Sequence, residues 1–210
     1  MADLTFYTNP MSRGQIVRWA LHEAGADYDT VILDYGTTMK AAEFLGVNPM
    51  GKVPAIVHQG RTVTEAAAIC AYLADAFPQA GLAPSNDDER ADYYRWLFFA
   101  AGPLEQAITA HTVLKVDPTT EQRAMVGFGT YDDAVEALAG MLASRDYVCG
   151  ERFTMADVYV GSQVGWGVEF GTLPRRPEFD AYTARVQARP AYSEAKEIDG
   201  KLIADMQAKS

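Results

Sequence analysis

Residues 48–66 contain side chains and main-chain groups that together could bind a small peptide. A loop ends at Pro49, the pair Val53-Pro54 begins a short apolar strand, and a polar hairpin leads to Glu65 at the start of a helix. An exposed strand edge offers main-chain donors and acceptors to an extended peptide, and a helix N-terminus attracts a carboxylate. The stretch therefore predicts a site for a small peptide that carries both a carboxylate and an ammonium group.

The elements that must position this stretch are short strands and helices in alternation. Ser12 followed by Gln15 is a capping-box pattern that begins a helix, and Gly25 is suited to end it. The order βαβ followed by αββα predicts a small mixed sheet with helices packed on it over residues 1–78. We predict strands at residues 4–7, 28–33, 54–58 and 61–63, and helices at residues 12–24, 39–46 and 65–77.

The remainder of the chain has a helical pattern. Residues 79–88 are rich in helix-breaking and helix-capping residue types, which predicts a linker. Beyond it strand patterns almost vanish. Residues 89–113 predict a long helix that is buried on several sides and bent at Gly102-Pro103. We therefore predict that residues 89–210 form an all-helical domain.

Two further helix starts are predicted within this domain. Asp117-Pro118 has the N-cap and first-turn pattern of a second long helix with Met125 turned inward. Thr154 and Asp157 form a capping box that begins a core helix. Residues 165–171 are unusually rich in glycine, which predicts a loop or close packing.

Composition and charge limit the partners. The 210 residues carry a formal net charge of −10, which disfavours nucleic acid and anionic membranes because phosphate binding needs clustered Lys and Arg. Cys70, Cys149 and the three histidines have no metal-ligand spacing, so we expect no metal site. No secretory signal is recognisable, and no apolar run reaches the roughly 20 residues that cross a bilayer. These features predict a cytoplasmic protein with no nucleic-acid or membrane partner.

Four segments give the chain a family resemblance. They are Tyr7-Thr-Asn-Pro-Met-Ser-Arg-Gly14, Asn48-Pro-Met-Gly-Lys-Val-Pro54, Thr64-Glu-Ala-Ala-Ala-Ile-Cys-Ala-Tyr-Leu73 and Phe153-Thr-Met-Ala-Asp157. In this order, and spread over nearly the whole chain, they resemble the cytosolic glutathione transferases of bacterial type with a serine-type active site. The resemblance implies the glutathione transferase fold, with a thioredoxin-like α/β domain and an all-helical second domain, and it implies a homodimer.

The resemblance also implies that glutathione is the co-substrate and suggests how it binds. The amides at the start of the helix after Thr64, that of Ala66 included, would bind the γ-glutamyl carboxylate. Glu65 would pair with the ammonium group, although a charge in a first helical turn is also favourable without a ligand. The Val53 main chain, presented by a cis Val53-Pro54 bond, would pair with the cysteinyl unit, and Lys52 would bind the glycine carboxylate.

Catalysis with glutathione requires its thiolate, because a free thiol has a pKa of about 8.5 and is mostly protonated at neutral pH. Ser12 is placed at the first helix start to donate to the sulfur anion, with help from the helix dipole. The alternative is that Ser12 only caps the helix. Tyr7, at the end of the first strand, is the second candidate for this role, although it could also be only a core aromatic of the strand. Arg13 could support the thiolate electrostatically or only line the dimer cleft.

The chain departs from the family pattern at two positions. Ala66 stands where family members commonly carry serine after the glutamate, which removes one hydroxyl contact to the γ-glutamyl carboxylate. The segment Pro10-Met11-Ser12-Arg13 has no cysteine, so mixed-disulfide chemistry with glutathione is disfavoured.

The second substrate implied by the resemblance is a small hydrophobic electrophile. We expect its pocket between the two domains. The predicted function is conjugation of glutathione. Peroxide reduction, dehalogenation or isomerisation by the same thiolate, or glutathione or protein binding without catalysis, are the alternatives. The candidate pocket residues are aromatic or Met: Met11, Tyr94, Phe98, Trp166 and Phe170.

Overall fold

The computed structural model describes residues 2–208, so Met1 and residues 209–210, at the outer ends of the predicted domains, lie outside the described residues. Residue contacts divide the chain into two compact units. One holds the residues up to Ala83 together with those from Ala188 onward, and the other is Pro84–Gln187.

The first unit is built on a four-stranded mixed sheet. The strand order is β2-β1-β3-β4, with β1 parallel to β2 and antiparallel to β3, and with β3 antiparallel to β4. Apolar residues of β1 and β3 fill the core, since Phe6 and Ile56 lie opposite each other and are fully buried. The strands are β1 (Leu4–Thr8), β2 (Asp29–Ile32), β3 (Ala55–His58) and β4 (Arg61–Thr64).

Three helices accompany the sheet along the chain. Gly25, at φ +63°, ends the first of them, as its position in the sequence predicts. The α/β fold expected for this part of the chain is confirmed. The helices are α1 (Gly14–Ala24), α2 (Ala42–Leu45) and α3 (Ala66–Ala76).

The second unit is helical, as predicted. At the predicted position of the bend, Gly102-Pro103, the structure has a π-helical turn, Ala100–Leu104, in which Pro103 has no amide hydrogen for the regular helical bond. A second π-helical turn, Thr109–Leu114, follows. The α-helices of the unit are α4 (Asp87–Phe99), α5 (Glu105–Ile108), α6 (Tyr131–Ala143), α7 (Met155–Glu169) and α8 (Pro177–Gln187).

The last helix, α9 (Pro190–Gln207), belongs to the first unit and not to the predicted domain 89–210. It packs along α1, where the ring of Tyr192 meets the buried ring of Trp19 edge to face at 5.0 Å. Arg189 donates two hydrogen bonds, of 2.6 and 2.7 Å, to the carboxylate of Glu23. These contacts define the boundary of the first unit.

The helix predicted to start at Asp117-Pro118 begins later. Thr130 caps α6 and shares a capping box with Asp133, so the helix starts at Tyr131. The preceding residues are irregular apart from one short 3₁₀ turn, and Met125 is exposed instead of turned inward. Gly129, at φ +64°, separates this segment from the helix.

The glycine-rich stretch 165–171 is helical as far as Glu169 and is not a loop. The alternative prediction, close packing, is correct. A Cβ atom on Gly167 would lie 2.5 Å from the side chain of Leu173, so only glycine fits there without displacement of that leucine. Within residues 2–208 no helix has both the length and the apolar composition required to cross a bilayer.

Candidate functional site

The register of the sheet brings three chain segments to one end of the first unit. Tyr7 lies opposite Ala55, and Ala55 lies opposite Thr64. Because β1 and β4 both run antiparallel to β3, the residues after β1, before β3 and after β4 share this end of the sheet. The segments containing Ser12, Val53 and Glu65 are therefore neighbours, and both α1 and α3 begin beside them.

The segment after β1 is a tight turn over residues 9–12. The Ser12 amide donates to the Asn9 carbonyl at 3.1 Å, and the Met11 amide donates to the Asn9 side chain at 3.0 Å. Asn at the first turn position and Pro10 at the second are favoured in such turns. The buried Asn9 side chain also donates to the Leu33 carbonyl at 2.8 Å, which joins the turn to the end of β2.

Ser12 is engaged twice within this turn. Its hydroxyl donates to the Asn9 carbonyl at 2.6 Å and accepts the Gly14 amide at 2.9 Å. One half of the predicted capping box is therefore present, because the Ser12 side chain accepts a hydrogen bond from an amide of the first turn. The other half differs, because the Gln15 side chain donates to the Pro10 carbonyl at 2.6 Å and does not accept a hydrogen bond from the Ser12 amide. That amide already donates to Asn9.

Gly14 permits the close approach of helix and strand at this point. A Cβ atom at Gly14 would lie 1.8 Å from the Thr8 hydroxyl oxygen and 3.0 Å from the Ser12 hydroxyl oxygen. A larger residue would therefore displace the start of α1 from the end of β1, and with it the Ser12 hydroxyl. Arg13, the residue before α1, is exposed.

Tyr7 lies in an apolar cluster at the same end of the sheet. Its ring is 5.5 Å from that of Phe44, and both Tyr7 and Val53 pack against the buried side chains of this cluster. No hydrogen bond to another described residue is seen for the Tyr7 hydroxyl. Tyr7 is therefore both a core aromatic and a donor with free capacity.

The loop before β3 presents the main chain of Val53. The Val53-Pro54 peptide is cis, Pro54 is buried, and Val53 is half-buried. Within the described residues the Val53 amide and carbonyl have no hydrogen-bond partner. They are available to an added strand. Lys52 is exposed beside them, and its carbonyl accepts a 2.7 Å hydrogen bond from Asn48.

Two residues that sequence reasoning missed hold this loop. The Lys40 ammonium group donates to the carbonyls of Met50 and Gly51 at 3.1 and 2.8 Å. The Asn48 side chain accepts the Met50 amide at 3.1 Å in addition to its bond to the Lys52 carbonyl. A turn-forming Asn before Pro49 was a usable signal for Asn48, whereas the sequence around Lys40 carries no comparable one.

Glu65 has an unusual backbone conformation. Its φ is +65° and its ψ +116°, a region that residues other than glycine rarely adopt. Its side chain is exposed and forms no hydrogen bond or ion pair with the described residues. Strain of this kind clusters at ligand sites. The adjacent Ala66 is buried and begins α3, whose first amides have no acceptor within the helix.

The predicted electrophile-pocket residues lie in both units. Met11 follows β1 and is 54% exposed, and Phe98 on α4 is 72% exposed. Tyr94 and Phe98 place their ring centroids 6.5 Å apart on one side of α4. Trp166 on α7 is half-buried, and Phe170, which follows α7, is exposed.

Neither cysteine is suited to act as a nucleophile. Burial raises the pKa of the Cys149 thiol to about 11, and burial raises the pKa of Cys70 still further above its ordinary value. Both thiols are therefore protonated at neutral pH. In residues 2–208 no group of three or more His, Cys, Asp or Glu side chains is arranged to hold a metal ion.

Two family models and several known proteins match this chain. The family model described as Glutathione S-transferase, N-terminal domain matches residues 2–75, and the corresponding C-terminal domain model matches residues 104–190. Glutathione S-transferase GstA from Escherichia coli O157:H7 is 29% identical over 185 residues, which cover 86% of this chain and 90% of that protein.

Two further similarities bear on function. A sphingomonad glutathione S-transferase, solved in complex with glutathione, is 31% identical, with a TM-score of 0.75 and coverage of 93% of this chain and 98% of that one. Elongation factor 1-gamma from Artemia salina is 33% identical over 129 residues, which are 60% of this chain and 29% of that protein. From the two family-model matches and the full-length structural similarity, the chain belongs to the glutathione transferase family.

Proposed function

We propose that the protein binds glutathione at the end of the sheet where Ser12, Val53 and Glu65 meet, and transfers it to small hydrophobic electrophiles. One observation carries the proposal. The strand register brings together, at the same end of one unit, two helix N-termini and a main-chain edge and a carboxylate that have no partner within residues 2–208. These are the groups that complement a tripeptide with two carboxylates, one ammonium group and a central thiol.

Each part of glutathione has a complementary partner. The first amides of α3, including that of Ala66, receive the γ-glutamyl carboxylate, since helix N-termini bind anions. Glu65 pairs with the ammonium group. Val53 hydrogen-bonds the cysteinyl main chain as an added strand would, across the Val53-Pro54 peptide. Lys52 pairs with the glycine carboxylate.

The thiol then lies beside the turn that precedes α1. Ser12 donates its hydroxyl hydrogen to the sulfur anion, while the N-terminus of α1 and the Arg13 side chain add positive potential. This requires the hydroxyl to turn from the Asn9 carbonyl toward the sulfur, while its oxygen still accepts the Gly14 amide. Tyr7 is the second candidate donor to the sulfur.

The bound thiolate attacks the electrophilic carbon and forms a carbon–sulfur bond. With an aryl halide, the bond to the halogen breaks and halide leaves. Apolar side chains that are exposed or, for Trp166, half-buried are the proposed electrophile contacts. We propose that the active form is a homodimer in the cytoplasm. The proposed contact residues are Met11, Tyr94, Phe98, Trp166 and Phe170.

A second candidate function is glutathione or protein binding without catalysis. Two observations favour it: Ala66 lacks the hydroxyl that family members commonly offer, and the Ser12 hydrogen is already donated to Asn9. The similarity to an elongation factor 1-gamma adds a relative whose name is not that of a transferase. Peroxide reduction, dehalogenation or isomerisation would use the same thiolate on a different second substrate.

The test is binding followed by titration of the bound thiol. Calorimetry with glutathione should show saturation, and S-methylglutathione, which cannot form a thiolate, should bind through the same groups. Thiolate absorbance of the complex should then titrate below the free value of about 8.5. Turnover of aryl halide, peroxide and epoxide substrates assigns the reaction. Binding with an unshifted thiol pKa would favour the non-catalytic alternative, and no saturation at millimolar glutathione would refute the proposal.

A further inference from the structure

The turn that carries Ser12 is held on two sides by side-chain amides. The peptide group between Pro10 and Met11 is the central peptide of this turn. Its carbonyl accepts the Gln15 side chain at 2.6 Å, and its amide donates to the Asn9 side chain at 3.0 Å. A turn changes type by rotation of this central peptide, so the two contacts together fix its orientation.

The two amides differ in what they connect. Asn9 is buried and joins the turn to Leu33 at the end of β2. Gln15 is only half-buried and faces α9, where Lys196 donates to its side-chain oxygen at 3.2 Å. Gln15 therefore connects the last helix of the unit to the Ser12 turn through two hydrogen bonds, one from Lys196 and one to Pro10.

We infer that Gln15 is a positioning residue for the thiol site, and that α9 acts on this site through the contact between Lys196 and Gln15. The inference rests on the proposed function, because the sulfur whose donor is positioned is that of bound glutathione. With the central peptide fixed, the Ser12 hydroxyl stays between the Asn9 carbonyl and the Gly14 amide, from where its one hydrogen can turn from that carbonyl to the sulfur of bound glutathione. Without Gln15, the Pro10 carbonyl loses its donor and the central peptide keeps only its contact with the Asn9 side chain.

The variant that removes both bonds of Gln15 is Gln15→Met. It keeps the length and the helix propensity of the side chain and removes its donor and its acceptor. Lys196→Met removes only the contact from α9, and Lys196→Arg retains a donor at that place. Lys201→Met, at an exposed position on the same helix, controls for loss of a positive charge on α9.

The main readout is the pKa of the bound glutathione thiol, together with kcat and the glutathione KM. Loss of a hydrogen bond of ordinary strength changes an equilibrium about two- to tenfold. We therefore expect Gln15→Met to raise the bound-thiol pKa by about 0.3 to 1 unit and to lower kcat about two- to tenfold. The glutathione KM should change less than twofold. Lys196→Met should shift the same quantities in the same direction by less, and Lys196→Arg and Lys201→Met should match the parent protein.

A second readout needs no glutathione. Amide hydrogen exchange at Met11 and Ser12 in the ligand-free protein should be faster in Gln15→Met than in Lys201→Met. If exchange is faster in Gln15→Met but the parent protein does not lower the pKa of the glutathione thiol, the proposed function is refuted and the positioning of the turn by Gln15 is supported. Unchanged exchange and an unchanged thiol pKa in Gln15→Met, with an active parent protein, would overturn the inference and leave the proposed function standing. The inference would also be overturned if Gln15→Met lowered kcat without shifting the bound-thiol pKa and if a lower Tm, and thus a smaller folded fraction, accounted for the whole loss of kcat.

Discussion

The Ser12 hydroxyl donates to the main-chain carbonyl of Asn9 at 2.6 Å, while its oxygen accepts the Gly14 amide at 2.9 Å. The two bonds give Ser12 a structural task that exists before any ligand binds. A thiolate must therefore compete with a carbonyl acceptor for one hydrogen, and a sulfur anion is favoured in that competition because charge-assisted hydrogen bonds are about twice as strong as neutral ones.

Ser12→Ala should separate these two tasks. Loss of the donor to the thiolate should lower kcat by roughly a hundredfold, as for the removal of one donor to a developing anion. Loss of the acceptor for the Gly14 amide should reduce the free energy of unfolding by about 1 kcal/mol. The glutathione dissociation constant should change little, because the groups at Val53 and Glu65 remain. Steady-state kinetics, calorimetry and urea unfolding measure the three quantities.

The matched control for Ser12→Ala is Ser193→Ala, at an exposed position in the first turns of α9. It should leave all three quantities unchanged. If Ser12→Ala retains full kcat, Tyr7 becomes the donor to test, through Tyr7→Phe.

Two substitutions at Glu65 should have different effects on stability and the same effect on binding. Glu65→Gly accommodates φ +65° without strain and should raise the free energy of unfolding by about 1 kcal/mol. Glu65→Gln keeps the strain and should leave stability unchanged. Both remove the charge that pairs with the ammonium group, a contact of about 1.5–3 kcal/mol, and should weaken glutathione binding about ten- to a hundredfold. Equal affinity in Glu65→Gln and the parent would remove Glu65 from the site.

Ala66→Ser should restore a contact that the chain lacks. The added hydroxyl lies at the first residue of α3, beside the amides proposed to receive the γ-glutamyl carboxylate. A hydrogen bond worth about 0.5–1.5 kcal/mol corresponds to roughly two- to tenfold tighter binding of glutathione. Ala67→Ser, one residue further along the helix, is the control and should leave affinity unchanged. Equal affinity for Ala66→Ser and Ala67→Ser would count against the assignment of this helix start to the carboxylate.

The sequence predicts which segments form the candidate site better than it predicts the hydrogen bonds and backbone angles of the residues in them. Short strands bounded by Pro and Gly, with the motifs around Val53 and Glu65, predict the sheet and the end at which we propose that glutathione binds. The bond from the Ser12 hydroxyl to the Asn9 carbonyl is not predicted, although the two residues are only three positions apart, because the sequence pattern does not give the orientation of that carbonyl within the turn. The φ of +65° at Glu65 is also hidden, since local propensity disfavours it for glutamate.

The hydrophobic periodicity of α9 does not predict which surface of the protein this helix packs against. An amphipathic helix must bury its apolar face, but its pattern does not name the surface that covers it. Here that surface is α1, so the last helix joins the first unit and not the helical one. The late start of α6 has a similar origin, because Asp117-Pro118 and Thr130 both suit a helix start and only Thr130 completes a capping box.

Replacement of only one partner of the buried ion pair between Arg18 and Asp199 should lower the free energy of unfolding strongly. Arg18 donates to the Asp199 carboxylate at 2.9 Å, and both side chains are about 2% exposed. Burial raises the pKa of Asp199, although the Arg18 guanidinium opposes that shift. Arg18→Met or Asp199→Leu alone leaves an unpaired buried charge and should destabilise the fold by about 3–5 kcal/mol. The double variant should lose less than the sum, and urea unfolding of all four proteins measures the coupling. Additive losses would show that the pair contributes nothing beyond packing.

Asp157 should give the stability of the fold a distinctive dependence on pH. Its buried carboxylate accepts hydrogen bonds from the amides of Val148 and Thr154 and from the hydroxyls of Thr154 and Tyr182, at 2.7–3.1 Å. Burial nevertheless raises its pKa from 3.8 to about 6. Between about pH 4 and pH 6 the folded state therefore binds more protons than the unfolded chain. Asp157 therefore contributes about 3 kcal/mol at most to the free energy of unfolding. This contribution is fully present below pH 4 and is lost as pH rises through 6.

The variant that removes this titration is Asp157→Asn. Asparagine offers only one acceptor oxygen to donors that surround both oxygens of the carboxylate, so it should destabilise the fold at every pH. The difference in free energy of unfolding between the parent protein and Asp157→Asn should be largest near pH 4 and should shrink as pH rises to 7. The reason is that only the parent protein ionises a buried group between these two pH values. Urea unfolding at half-unit steps of pH measures the difference and cancels the other carboxylates, among them Glu89, whose pKa the Arg152 guanidinium lowers to about 2. A deficit that grows with pH would mean that the hydrogen bonds to Asp157 outweigh its burial, and that its folded-state pKa lies below 3.8.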